Sequence, residues 1–507
     1  MLELAFTPDR DDLEPVYRQL RNYLRDLIAA ERLPRGTKLP ATRELATSLG
    51  LSRNTVAQAY DELIADGLLA AHVGQGTFVA LPTRPDGVPS RHRAPADAQR
   101  GFVWSGLFAL RARALVLPAG LAQRRSGSVA SAPAAKRFDF RGGQVALDAL
   151  PSADVRRAFT QALGVELADI AALQGPYGLT ALRREVARYL VGRGIGCDWT
   201  DVAIVNGAQQ AIDLTARVLL DPGDSVVLEQ PGYFGARIAF TAAQANVIHV
   251  DVDAEGLNTD DLARVLRARR VKLVYTTPAA QSPTGAVMSD ARRRALLALA
   301  DEHQVPILED DYDSELRYEG PPIAALKTLD RAGQVVYVGT FSKVLFPGLR
   351  VGYVVAARPL LEKMMLARWN ADVTTNVVAQ AALAHLLATG GLGRHLKRVR
   401  AVYTTRLAAT LETLATAMPD GTEWTRPRGG HTVWVTLPSG TDPDALLQSA
   451  LDAGIHYTPG DVFCGPGQGG RHLALSFANH SPADIKAGIR LLGGLLQKQL
   501  ARSRSLP

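Results

Sequence analysis

The sequence predicts an α/β chain: a doubly wound, mainly parallel sheet with a smaller C-terminal lobe, preceded by a small helical unit. Three observations carry the prediction. Short β-branched runs alternate with amphipathic helical stretches through the middle of the chain. Small, hydroxylated or acidic residues follow each apolar run, where such sheets bind ligands. Residues 14–80 repeat neither pattern and read instead as helix, turn, helix and glycine-tipped hairpin.

At 507 residues, with 47% apolar and 21% charged, the chain is globular and too long for one ordinary domain. Cys197 and Cys464 are the only cysteines, so no disulfide framework is implied and a reducing compartment fits. No apolar run approaches the roughly 20 residues of a membrane helix. Met1 to Asp12 carries acids and no apolar signal core, which makes the cytoplasm the expected location. The net charge of +7 is concentrated in residues 81–137, where ten Lys/Arg face only Asp86 and Asp97. The rest of the chain is nearly neutral.

In the N-terminal unit, Val16, Leu20, Leu24, Leu27 and Ile28 form a helical stripe. Leu39 to Gly50 reads as an N-cap, a short helix and a Gly stop, and Leu51-Ser52-Arg53 as the turn into a second helix, Asn54 to Asp66. Leu68 to Val79 is a hairpin with glycines at its tip. Over 1–80 the balance is 9 basic to 11 acidic, but residues 32–60 hold five basic residues against Glu44 alone. A localised basic face is the signal that matters for a nucleic acid. The unit resembles the GntR-type winged helix-turn-helix through Leu-Pro-x-x-Arg-Glu-Leu-Ala, Ser-Arg-Asn-Thr-Val and Gly-x-Gly-Thr-Phe-Val. The resemblance implies double-stranded DNA as partner. Ser52, Arg53, Asn54 and Thr55 would then open the recognition helix, Arg43 would clamp the backbone, and Gln75 and Gly76 would bring the wing to the minor groove.

Residues 81–137, rich in Pro, Arg, Ala, Gly and Ser, read as a basic flexible linker, interrupted by an apolar segment from Phe102 to Leu110. The body, 138–507, is organised around Val335 to Tyr353. A buried strand there gives way to Thr340-Phe341-Ser342-Lys343, a Pro347-Gly348 turn and Arg350. A lysine at the end of a buried strand is costly unless its pKa falls or it is covalently bonded. A Schiff base to an aldehyde cofactor does both. Upstream, Val305 to Asp313 is a second buried strand ending in acid, which places Asp310 33 residues before Lys343. Pyridoxal 5'-phosphate needs this pair: a lysine for its aldehyde and a carboxylate to keep its pyridine nitrogen protonated. Asn206-Gly207-Ala208-Gln209 opens a helix after the strand Val202 to Val205, and the amides of Ala208 and Gln209 suit a phosphate.

These stretches resemble the fold-type I pyridoxal-phosphate enzymes of the aspartate aminotransferase superfamily. The order winged helix, linker, aminotransferase-like body resembles the MocR-type transcriptional regulators along essentially the whole chain, with Glu309-Asp310-Asp311-Tyr312-Asp313-Ser314-Glu315 and Pro231-Gly232-Tyr233 inside the body. The resemblance implies Tyr233 stacked on the pyridine, Tyr312 and Ser282 at its phenolic oxygen, and Thr340, Ser342 and Arg350 among the cofactor contacts. It also implies a homodimer, a C-terminal lobe from about 371, and an amino-acid-like or vitamin B6 effector. An active aminotransferase that regulates its own gene is the rival reading.

Three departures from the family pattern bear on function. Ala279, Ala280 and Ser282 replace Ser, His and Phe of Pro-Ser-His-Gln-Phe-Pro-Thr-Gly. Leu173 stands where aminotransferases place a tyrosine that reaches the phosphate across the dimer. Leu473-Ala474-Leu475-Ser476-Phe477 lacks the arginine of Leu-Arg-x-x-Phe that holds a substrate carboxylate, and Arg471, at an odd offset, should face the other way. The missing clamp favours a regulator over an aminotransferase.

Overall fold

The computed structural model describes residues 6–9, 14–29, 32–34, 36–72, 76–80, 109, 112, 138–164, 175–320, 323–465 and 468–504. The chain falls into two compact units, Met1–Val103 and Trp104–Pro507. Residues 81–137, read from sequence as a linker, lie outside the described residues except for Ala109 and Ala112, as do Gln75 and Leu173.

In the first unit, helices α1 (Val16–Ala29), α2 (Thr42–Leu49) and α3 (Arg53–Ala65) precede a hairpin of β1 (Leu69–His72) and β2 (Gly76–Val79). The core is the sequence stripe made solid: Leu20, Leu24, Leu45, Val56, Ala59, Tyr60 and Leu63 are buried together with Leu69 and Val79. Gly50 ends α2 at φ 63°, a left-handed conformation that favours glycine. Ser52 then caps α3 by accepting the Thr55 amide at 3.1 Å. Two ion pairs, Arg21–Glu62 at 2.6 Å and Arg25–Asp66 at 2.8 Å, tie α1 to α3.

The second unit is built on an eight-stranded sheet. After β3 (Phe138–Asp139) come β4 (Val202–Val205), β5 (Ser225–Gln230), β6 (Asn246–Asp253), β7 (Gly256–Leu257), β8 (Val271–Thr276), β9 (Ile307–Asp311), β10 (Val335–Thr340) and β11 (Gly352–Val355). Their spatial order is β4-β11-β10-β9-β8-β5-β6-β7. The central run β10, β9, β8, β5 and β6 is parallel throughout, while β11 runs antiparallel to both its neighbours. β4, β10 and β11 are buried along their whole length, as largely apolar runs in a helix-covered sheet should be, and β9 is equally buried although it ends in Glu309, Asp310 and Asp311.

The C-terminal lobe carries an antiparallel sheet of β12 (Glu423–Trp424), β13 (Thr432–Thr436), β15 (Thr458–Pro459) and β16 (His472–Ser476), in the order β12-β13-β16-β15. The 27-residue helix Gly391–Ala417 packs beside Pro482–Arg504. Strand β14 (Ile455–His456) pairs in parallel with β3, so the first residues of the body join this lobe rather than the large sheet. That pairing spans more than 300 positions and no local pattern announces it.

Candidate functional site

The acids of β9 sort by strand alternation. Glu309 and Asp311 point one way: Glu309 accepts the Leu326 and Lys327 amides at 2.7 and 2.8 Å, and Asp311 pairs with Arg193 at 3.0 Å. Asp310 points the other way, and the register of β9 on β10 sets it opposite Val338, beside the strand that leads into Lys343. It is 3% exposed, and its Oδ2 accepts the Tyr275 hydroxyl at 2.8 Å, while Oδ1 has no partner among the described residues. Burial, with help from Asp311 and Glu229, pushes its carboxyl up to about 7 against the pull of Tyr275 and Lys343.

A cleft of about 290 Å³ opens over these strand ends. Its lining contains all ten residues expected from sequence at the cofactor: Ala208, Gln209, Tyr233, Ser282, Asp310, Tyr312, Thr340, Ser342, Lys343 and Arg350. The helix Ala208–Leu219 aims its first amides at the cleft, and Gly207 precedes it at φ 79°. A Cβ at Gly207 would come within 3.2 Å of the Arg350 guanidinium, which donates to the Asn206 carbonyl at 2.9 Å. Arg350 itself takes φ 51°, a strained conformation for a non-glycine residue and one that clusters at ligand sites. The Gln209 side chain is committed to structure: it donates to Gly235 at 2.8 Å and accepts the Tyr233 hydroxyl at 3.1 Å. Its backbone amide is what remains for an anion.

The loop carrying Ser282 is held from below. Buried Glu229 accepts from Thr276, from the Thr277 amide and hydroxyl, and from Gln281. Gln281 in turn receives the Thr284 hydroxyl at 2.7 Å, and the Ser282 amide donates to Thr277 at 3.1 Å. The replacements at Ala279 and Ala280 therefore leave the loop anchored. Burial raises the Tyr312 hydroxyl well above its usual range, Asp313 and Asp310 adding to the effect, and a hydrogen bond from Ser282 works the other way.

Sequence reasoning missed the other wall. Gly142, Gly143, Phe234, Pro283, Pro347, His431, Thr432, Thr458, Phe463 and Ala474 also line the cleft. The Gly-Gly pair after β3 was a legible signal; the contributions of β13, β15 and β16 depend on long-range pairing. Ala474 stands at the family's clamp position, and it faces the cleft. Arg471 does turn the other way: its guanidinium donates to the Leu437 carbonyl at 3.0 and 3.3 Å. His431 is fully buried with its Nδ1 3.7 Å from Asp313, and burial beside Lys343 lowers it to about 3, so it is neutral.

In the first unit, Arg43, Arg53, Asn54 and Gly76 are exposed. Ser52 and Thr55 share a hydroxyl contact of 2.8 Å, so part of their hydrogen-bonding capacity goes into capping α3. Two of the unit's acids, Glu62 and Asp66, are paired with Arg21 and Arg25 of α1. Lys38 crosses the wing next to Gly76, where a Cβ would lie 2.9 Å from its Cε.

Comparison with known proteins agrees with both units. Residues 139–492 match the model of aminotransferase class I and II, and residues 16–79 match that of bacterial regulatory proteins of the gntR family. The chain is 32% identical to the "Probable rhizopine catabolism regulatory protein MocR" of Rhizobium meliloti, over 96% of this chain and 94% of that one. It is 33% identical to the HTH-type transcriptional regulator TauR of Rhodobacter capsulatus, over 94% and 96%. Among solved structures it resembles LysN, an alpha-aminoadipate aminotransferase from Thermus thermophilus complexed with N-(5'-phosphopyridoxyl)-L-leucine. There the TM-score is 0.73 at 32% identity, covering 79% of this chain and 100% of LysN.

Proposed function

Because this chain belongs to the MocR-type transcriptional regulators, a GntR-type DNA-binding domain joined to an aminotransferase-like body, we propose that its cleft senses pyridoxal 5'-phosphate, or an effector bound beside it, and that the N-terminal unit reads the operator. The observation that carries the proposal is the orphaned Oδ1 of buried Asp310, in the same cleft as Lys343 and Arg350. A buried carboxylate oxygen without a donor is costly, and a protonated ring nitrogen would satisfy it.

Pyridoxal 5'-phosphate is the cofactor, and when bound it supplies an aldehyde for a lysine and an electron-withdrawing ring. Lys343 would hold the aldehyde end, Asp310 the ring nitrogen, and Tyr233 the ring face. Tyr312 and Ser282 would bond the phenolic oxygen. The Ala208 and Gln209 amides, Thr340, Ser342 and Arg350 would hold the phosphate. In the other unit Arg53 and Asn54 approach base edges, while Arg43, Ser52, Thr55, Gln75 and Gly76 fix register on the backbone and in the minor groove. Two copies pair, so that two winged helices read two half-sites in the cytoplasm. Anisotropy titrations of operator DNA at several salt concentrations test the DNA assignment. Arg53→Ala should lose about 1–3 kcal/mol on the specific site if it reads a base. A loss equal on all sequences, with the salt slope reduced by about one, would reassign Arg53 to phosphate. Unchanged binding would remove it from the interface.

A further inference from the structure

The far wall of the cleft is built by the C-terminal sheet. In the antiparallel C-terminal sheet, Ala474 lies opposite both Trp434 and Thr458. Residues directly opposite share a face, and Thr432 lies two positions from Trp434 on the same strand. Thr432, Ala474 and Thr458 therefore present one continuous surface to the cleft, and all three line it. That surface is methyl and hydroxyl. The alternate face of β16 carries Leu473 and Leu475 into the core, with Arg471 bound to the Leu437 carbonyl at its start.

Among the described residues, the only cations lining the cleft are Lys343 and Arg350. Both are assigned above to the cofactor, one to its aldehyde and one to its phosphate. His431, the remaining titratable group on the far wall, is buried and neutral, and fully buried Asp313 lies 3.7 Å from it. A carboxylate brought to this wall would meet no bidentate donor among the described residues.

We infer that the second ligand is a primary amine whose far end is uncharged and hydroxylated, such as an amino alcohol, rather than an amino acid. The inference rests on the proposed cofactor-bound sensing site and adds the ligand's chemical class. Hydroxyl groups on Thr432 and Thr458 can donate to and accept from a ligand hydroxyl, and Ala474 leaves room for its carbon skeleton.

The test uses the full-length, cofactor-loaded protein and matched pairs with one carbon skeleton each: alanine against alaninol, and β-alanine against propanolamine. Binding is read from the visible absorption of the loaded protein and, independently, by calorimetry. The alcohol of at least one pair should bind about tenfold or more tightly than its acid. Ala474→Arg should reverse that preference by supplying a guanidinium. Equal or tighter binding of both acids to wild type would overturn the inference, including the case in which a partner subunit supplies the missing cation. No saturable binding by any of the four would overturn it as well. The same preparations are assayed for cofactor and operator binding. Protein that holds both yet fails the amine comparison leaves the sensing site standing, whereas protein that holds neither refutes that reading too.

Discussion

Asp310→Asn separates the cofactor's needs from the protein's own. In wild type, Oδ2 is satisfied by Tyr275 at 2.8 Å and Oδ1 is buried with no partner among the described residues. Asparagine can keep the Tyr275 bond through its carbonyl, but its neutral amide no longer offers a negative charge to keep the ring nitrogen protonated. Losing a charge-assisted hydrogen bond costs about 1.5–3 kcal/mol, or about 10- to 150-fold in cofactor affinity. Equilibrium dialysis against pyridoxal 5'-phosphate measures it. The cofactor-free protein should respond in the opposite sense, because the variant no longer buries a carboxyl pushed up to about 7. A folded-state pKa raised from 3.8 to about 7 means the native state binds more protons than the unfolded state in that window. Stability of the cofactor-free wild type therefore falls as pH rises toward 7, by at most about 1.4 kcal/mol per pH unit. Asp310→Asn should flatten that slope. Cofactor affinity within twofold of wild type, or an unchanged slope in urea titrations, would refute the reasoning.

Other substitutions probe the remaining contacts. Tyr275→Phe leaves the second Asp310 oxygen unpartnered and should weaken cofactor retention about fivefold or more by dialysis. Arg350→Ala should weaken retention by about tenfold or more by removing a charged donor from the phosphate, again by dialysis. Gly76→Ala should disturb the wing, since φ 111° disfavours any side chain and the new methyl meets Lys38. Operator affinity should drop in that variant while cofactor binding stays at the wild-type level.

Both halves of the fold were legible because each announces itself locally. The stripe Leu20, Leu24, Leu27, Ile28 and the stop at Gly50 are short-range patterns, and so are the buried runs ending at Asp310 and before Lys343. A topology that gathers strand ends converts those patterns into a site, which is why ten residues scattered from Ala208 to Arg350 line one cleft. What stayed hidden depends on distant pairing. Phe138 on Ile455, and Ala474 between Trp434 and Thr458, are set by registers that no window of sequence contains. Capping competes with recognition in the same way. Ser52 and Thr55 read from sequence as DNA contacts, and the fold shows part of their hydrogen bonding spent within α3.

The central claim is that ligand occupancy around Lys343 is reported to the DNA-binding unit. A mobility shift on the gene's own upstream region, with and without pyridoxal 5'-phosphate, for wild type and Lys343→Ala, tests it most directly. Since a ligand shifts only an equilibrium whose states it distinguishes, wild type should change its affinity or complex mobility on adding cofactor. Lys343→Ala should bind DNA equally well and show no change. A Lys343→Ala protein that still responds, or a wild type that ignores DNA while rapidly transaminating an amino acid, would contradict the account.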